Sequence, residues 1–161
     1  MKESKHLQNL SYRLGTVNDV DAVFELNQQS FSEAWSKKSL LDVMLAGFDL
    51  YVCEHESLLI AYLLSQDILD EVHIMQISVH PQFQRQGIGR QLTKKLLHDK
   101  SEHILVLLEV RASNLAAQTM YQNLGFQHIG RRKGYYTPEN QGEAREDAMV
   151  MQLKYQTAKY A

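Results

Sequence analysis

The stretch VHIMQISVHPQFQRQGIGRQLTKKLLHDKSEHILVLLEVRASN, residues 72–114, decides the fold. It opens on a β-type run at 72–79, passes through a short loop containing two glycines, and then changes to helical period. Ile88, Leu92 and Leu96 share one face of that helix, with Arg90, Lys94 and Lys95 turned outward. The run ILVLLEV at 104–110 is almost continuously apolar, the composition of a strand covered on both faces. A strand, a helix and a strand in this order predict a parallel pair joined by a right-handed crossover.

Upstream, LYVC at 50–53 and LLIAYLLS at 58–65 flank a polar turn at 55–57, so three consecutive strands form an antiparallel meander ending at 79. LSYRL at 10–14 alternates as a first short strand. Thr16, Asn18 or Asp19 can cap a helix carrying Val20, Val23, Phe24 and Phe31. Ser36 is placed to cap a second helix with Leu40, Leu41, Met44 and Leu45 on its stripe, and Gly47 to end it. Downstream, 114–124 reads as a helix with Ala117, Met120, Tyr121 and Leu124 on one stripe and Gly125 at its end. Strands follow at 126–129 and 148–153, and 131–146 is expected to be a long polar loop. The order predicts an α/β fold, a mixed sheet with helices on both sides.

The chain has 161 residues and 18.6 kDa, enough for one domain over 1–161 that buries about 70% of its surface. With 44% hydrophobic and 22% charged residues and only 2 Pro, collagen-like and disordered classes are excluded. A net charge of -2 provides no basic field, so no direct nucleic-acid partner is expected. The first ten residues carry charges and no apolar core, and no run approaches the ~18 apolar residues of a membrane span. The single cysteine, Cys53, forms no intrachain disulfide and suits a reducing compartment. A cytoplasmic monomer without membrane contact is the expectation. The seven histidines are scattered, with no His-Glu-x-x-His, so no metal is expected.

Two segments carry chemistry. In 79–90 the glycines of Gln86-Gly87-Ile88-Gly89 remove side chains where a strand turns into a helix, so several N–H groups can converge on one anion, with Arg85 and Arg90 adding charge. It is no dinucleotide fingerprint, because the third glycine position is Leu92, and no Gly-Lys-Ser/Thr triplet of a P-loop occurs. In LEVRASN at 108–114, Glu109 lies near the end of an apolar strand, where a carboxylate needs a partner or a use; Arg111 or another nearby cation is the bland partner. Tyr121 on its apolar stripe reads equally as a core tyrosine with its hydroxyl at the rim.

Together, QRQGIG, LEVRASN and AxxMYxxLGF, in this order of elements, resemble the GNAT superfamily of N-acetyltransferases over nearly the whole chain. Leu69-Asp70-Glu71, ISVHPQFQRQGIGR, the Arg131-Arg132 pair with Tyr135-Tyr136, and Arg145-Glu146-Asp147-Ala148 are similar to its bacterial ribosomal-protein-alanine N-acetyltransferase branch. The resemblance implies a seven-stranded, mostly antiparallel sheet whose central parallel pair splays to hold acetyl-CoA. It implies a bulge in the strand at 72–79, with backbone of Ile77, Ser78 and Val79 holding the acetyl carbonyl and pantetheine. The pyrophosphate would sit on N–H groups from Arg85 through Gln86, Gly87, Ile88 and Gly89 to Arg90, and Asn114 would bond the cofactor arm; a role of Asn114 as helix N-cap competes with this, and both uses can coexist if Ser113 caps. Glu109, through a water, would take the amine proton, and Tyr121 would protonate the departing thiolate. Trp35, Tyr135 and Tyr136 would flank the slot for the N-terminal segment of a protein substrate, a ribosomal protein. The chain departs from that branch at Ala34, where proline precedes the tryptophan, and at Gly134, which reads as an insertion. A free α-amine, with a pKa of about 7.7–8.0, is roughly a tenth neutral at pH 7 and needs only modest help from a base.

Overall fold

A computed structural model of the chain describes residues 9–31 and 33–156. Among them seven strands form one sheet: β1 (Leu10–Leu14), β2 (Asp49–His55), β3 (Leu58–Ile68), β4 (Glu71–Val79), β5 (Leu105–Arg111), β6 (Gln127–Tyr136) and β7 (Glu146–Lys154). Their order across the sheet is β1-β2-β3-β4-β5-β7-β6, antiparallel throughout except for β4 and β5. Four helices are α1 (Val20–Ser30), α2 (Lys37–Leu45), α3 (Ile88–Asp99) and α4 (Leu115–Asn123). The mixed sheet, the meander and the parallel crossover expected from the apolar periodicities are all present.

The sheet separates two cores. Ile88, Leu92 and Leu96 of α3 and Tyr121 of α4 pack with Val72, Val106, Leu108 and Val110 on one face. Val20, Val23 and Leu26 of α1 and Leu40 of α2 pack with Leu50, Val52, Tyr62 and Leu64 on the other. Thr16 starts the single 3-10 turn Val17–Asp19 that leads into α1, through a capping box: its side chain accepts from Asn18 N, and Asp19 accepts from Thr16 N at 2.8 Å. Ser36 caps α2 by accepting from Ser39 N at 3.0 Å.

The parallel pair is joined at one end only. Register runs from Glu71↔Leu105 to Ile74↔Leu108 and then stops, while β4 continues on β3 to Ala61↔Val79 and β5 continues on β7 to Arg111↔Ala148. A bulge sits where the strands part: Leu64 opposes Gln76 and Ser65 opposes Ile74, leaving Met75 as the extra residue. The joined end is pinned further by Ile104 N donating to Asp70 O at 2.8 Å. Lys100, at the end of α3, donates there to Asp49 at 2.5 Å and to Asp67 at 2.7 Å.

One expectation fails. Residues 131–136 are not loop but the second half of β6, and the connection to β7 shrinks to 137–145. β6 is an edge strand exposed along nearly its whole length, so Arg131, Arg132 and Lys133 stand in solvent on a strand that has no apolar alternation to advertise it.

Candidate active site

Beside the end of β4 that has left β5 lies a cleft of about 660 Å³. One wall is the free side of β4 at Ile77, Ser78 and Val79; the floor is the turn with Arg85, Gly87, Ile88, Gly89 and Arg90; the opposite wall is α4 with Asn114, Met120 and Tyr121. Of the residues expected to hold the cofactor, only Gln86 does not line this space. Sequence reading missed the inward face of α4, where Ala116, Thr119 and Asn123 recur at helical spacing beside the apolar stripe. That second stripe was the available signal, hidden because its residues are small or polar.

The turn is built for a close approach. Arg85 has φ 62° and Gly87, the N-cap of α3, has φ 80°, so left-handed residues alternate with ordinary ones and the N–H groups curve toward one point at the start of a 12-residue helix. No atom lies within 4 Å of where a Gly87 Cβ would stand, so backbone conformation rather than crowding calls for glycine there. The loop is braced by Gln84 Nε2 donating to Val79 O at 3.1 Å and by Phe83 stacked at a tilt on His55, with centroids 5.3 Å apart. This concave row of donors with two arginines fits a pyrophosphate.

At the head of α4 the choice between the two caps falls on Asn114. Asn114 itself caps the helix, its Oδ1 accepting from Ala117 N at 3.1 Å, while Ser113 N is spent on Glu146 Oε1 at 2.7 Å. Asparagine reaches N3 with its longer side chain, and the carboxylate beside Ser113 claims that residue's amide. Ser113 and Arg111 together hold the Glu146 carboxyl below its ordinary range.

Tyr121 is 3% exposed, packed edge-on against Phe126 at 5.5 Å, and burial raises its phenol well above the ordinary value of 10.0. Glu109 does not line the cleft and projects from the other face of β5. Val106, Leu108 and Val110 point into the α3/α4 core, so Glu109 stands on the α1 face by strand alternation. Its Oε1 accepts from Arg132 Nε at 3.1 Å, which makes Arg132 on β6, not Arg111, the cation that satisfies it. Arg111 is used elsewhere, donating to Glu146 at 3.1 Å and to Thr137 O.

Tyr135 and Tyr136 stack edge to face at 4.9 Å, under Arg132 and Arg111 respectively. A hydrogen bond to Glu109 raises the Tyr135 phenol, and burial pushes Tyr136 up to about 12. Tyr136 also lies near enough to Tyr121 to raise it electrostatically, so this pair links the Glu109 cluster to the cleft. Gly134, with φ 60°, sits at the irregularity of β6 that turns the tyrosines, its N–H donating to Asp147 at 2.8 Å. Trp35 is half-buried against the α1/α2 core, and the carboxylate of Glu33, next to it, accepts from Thr137 of the β6–β7 loop. The Trp35 turn and the tyrosine strand thus meet across the α1 face of the gap. Cys53 is buried with its thiol pushed up by burial, which leaves no thiolate nucleophile there.

The family described as an acetyltransferase (GNAT) domain matches residues 15–134, and the chain belongs to it. It is an acetyltransferase. The chain is 34% identical over 137 residues to the [ribosomal protein bS18]-alanine N-acetyltransferase of Escherichia coli (strain K12), covering 84% of this chain and 90% of the relative. It is 37% identical over 138 residues to that of Haemophilus ducreyi, covering 84% and 93%. The crystal structure of the Escherichia coli ribosomal-protein-S18-alanine N-acetyltransferase superposes with a TM-score of 0.86 at 30% identity, over 93% of this chain and 96% of that one. A Salmonella typhimurium acetyltransferase solved with acetyl-CoA shares the fold, with a TM-score of 0.77 at 18% identity, over 92% and 95% of the two chains.

Proposed function

We propose that the protein transfers the acetyl group of acetyl-CoA to the N-terminal α-amine of a protein, an alanine at the start of a small-subunit ribosomal protein, in the cytoplasm. The observation that carries this reading is the one-ended parallel pair. Where β4 and β5 part, free backbone at Ile77–Val79, a donor-lined turn and Tyr121 surround one cleft, and Glu109 stands on the part of β5 that has left β4. The Escherichia coli and Haemophilus ducreyi relatives are by name [ribosomal protein bS18]-alanine N-acetyltransferases, which supports the choice of substrate.

Acetyl-CoA supplies the activated acyl group as a thioester. Ile77, Ser78 and Val79 offer strand-edge N–H and C=O groups to its arm, and Arg85 with Gly87, Ile88, Gly89 and Arg90 offers N–H groups and charge to its pyrophosphate. The capping bond of Asn114 uses Oδ1, which leaves the amide nitrogen to donate to the arm. Glu109 takes the amine proton, through a water, and Arg132 orients the carboxylate. Tyr121 holds a proton at its hydroxyl for the departing thiolate; burial keeps that proton in place at neutral pH. Trp35, Tyr135 and Tyr136 wall the slot for the substrate's first residues.

The test offers acetyl-CoA with two hexapeptides, one starting with free Ala and one N-blocked with an internal Lys. Transfer to the first alone is expected. Transfer to the second alone moves the assignment to lysine, and cofactor binding without transfer to either removes the substrate assignment.

A further inference from the structure

Asn27 is fully buried on α1, and every polar group of its side chain is used. Its Nδ2 donates to Tyr62 Oη at 2.8 Å and to Gln76 Oε1 at 2.9 Å, and Tyr62 Oη donates to Gln76 Oε1 at 3.0 Å. Its Oδ1 accepts from the backbone N of Trp35 at 2.8 Å. One side chain therefore joins α1, the center of β3, the residue of β4 between the bulge at Met75 and the cofactor-facing Ile77, and the turn that carries Trp35. The last link matters most. Among the described residues between α1 and α2 there is no ladder and no helix; Gln28 Nε2 donates to Trp35 O at 3.3 Å from the exposed side, and Asn27 holds Trp35 N from the buried side. A buried amide with fixed donor and acceptor ends specifies one arrangement of its neighbours, since any other leaves a polar atom unpaired.

We infer that Asn27 is a positioning residue for the peptide slot: it holds the Trp35 turn at a set distance from the bulged part of β4, so that the amine-bearing end of the substrate and the cleft stay in register. This rests on the proposed function for its substrate, though the placement of Trp35 can be tested without one. The cofactor side has support of its own, because Ile77–Val79 are held by their ladder to β3.

The experiment compares wild type, Asn27→Ala and Val106→Ala, the last a truncation of a buried residue in the core on the other face of the sheet. Trp35 is the sole tryptophan, so acrylamide quenching of fluorescence reports its turn directly. Quenching is expected to rise at least twofold in Asn27→Ala and to stay unchanged in Val106→Ala, and equal quenching in all three overturns the inference. With the Ala-starting peptide, KM is expected to rise tenfold or more in Asn27→Ala while the Kd of acetyl-CoA shifts less than twofold; a fall in kcat alone, or an equal KM change in Val106→Ala, overturns it. If wild type does not acetylate the peptide, the substrate reading fails and the quenching comparison still decides the inference. Should Asn27→Ala not fold, amide exchange in wild type decides: the Trp35 N–H is expected to exchange at least a hundredfold slower than a free amide, and exchange at the free rate overturns the proposal.

Discussion

Arg132 Nε stands 3.1 Å from Glu109 Oε1, a contact from edge strand to central strand that crosses over β7. The carboxylate proposed as base is thus held by a residue more than half exposed, and such pairs are worth only about 0–1 kcal/mol. Arg132→Met is therefore expected to change stability by less than about 1 kcal/mol and to lower kcat/KM less than tenfold. Glu109→Gln is expected to lower it by about 10²-fold, the usual worth of a positioned base, with cofactor affinity unchanged. Steady-state kinetics and calorimetry on both variants check the pair; an Arg132 variant as impaired as the Glu109 variant contradicts it.

Tyr121→Phe is expected to lose at least tenfold in kcat while binding acetyl-CoA as tightly as wild type. The pH profile carries a sign. The amine must be neutral, so kcat/KM with the Ala peptide rises through pH 8. Burial lifts the Tyr121 phenol above its ordinary 10.0, so its proton is retained and no alkaline fall is expected below pH 10. A fall beginning at pH 9 contradicts Tyr121 as the acid.

Gly87→Ala puts an L-residue at φ 80°, which costs about 1–2 kcal/mol with no clash involved. The relief is a local change of φ that turns N–H groups out of the cleft. The expected result is a weaker acetyl-CoA complex: at a concentration 100 times the wild-type Kd, where binding stabilizes wild type by about 2.7 kcal/mol, the variant's thermal shift is smaller. Equal shifts contradict the role of the turn.

Asp19 accepts two bonds from Arg13, at 2.8 and 2.9 Å, and one from Thr16 N, and the guanidinium holds its carboxyl below the ordinary value of 3.8. A folded-state pKa below the unfolded one gives stability that is complete above the unfolded value and lost as pH falls through the folded one. Asp19→Asn is therefore expected to be about 1–3 kcal/mol less stable at pH 7, with the gap to wild type closing below pH 4. Denaturant titrations at pH 7 and pH 3 check this; a gap unchanged at pH 3 assigns the loss to the cap geometry instead.

The elements built on apolar period were legible in the sequence, from β1 to the crossover of β4, α3 and β5, since burial on a known face is what writes that period. The outer half of β6 was not, because an edge strand with Arg131, Arg132 and Lys133 buries neither face. The glycine turn was legible as a strand-to-helix turn from Gly87 and Gly89, and the left-handed φ of Gly87 is what that reading required. Contacts between residues far apart in sequence were beyond reach: neither the Glu109–Arg132 pair nor the capture of Ser113 N by Glu146 leaves a local mark. The same holds for Asn27, whose partners lie 8, 35 and 49 positions away and whose own surroundings read as an ordinary helix.

The one-ended parallel pair behaves like a tuning fork. Its stem is the joined end at Glu71–Ile74 and Leu105–Leu108, clamped by Lys100 and by the Ile104–Asp70 bond, and each tine is stiffened along its length by its own antiparallel neighbours, β3 behind one and β7 behind the other. The spacing of the tips is therefore set by the sheet before anything enters, so the ordering entropy of the walls is already spent in folding and a ligand arrives at a slot cut to width.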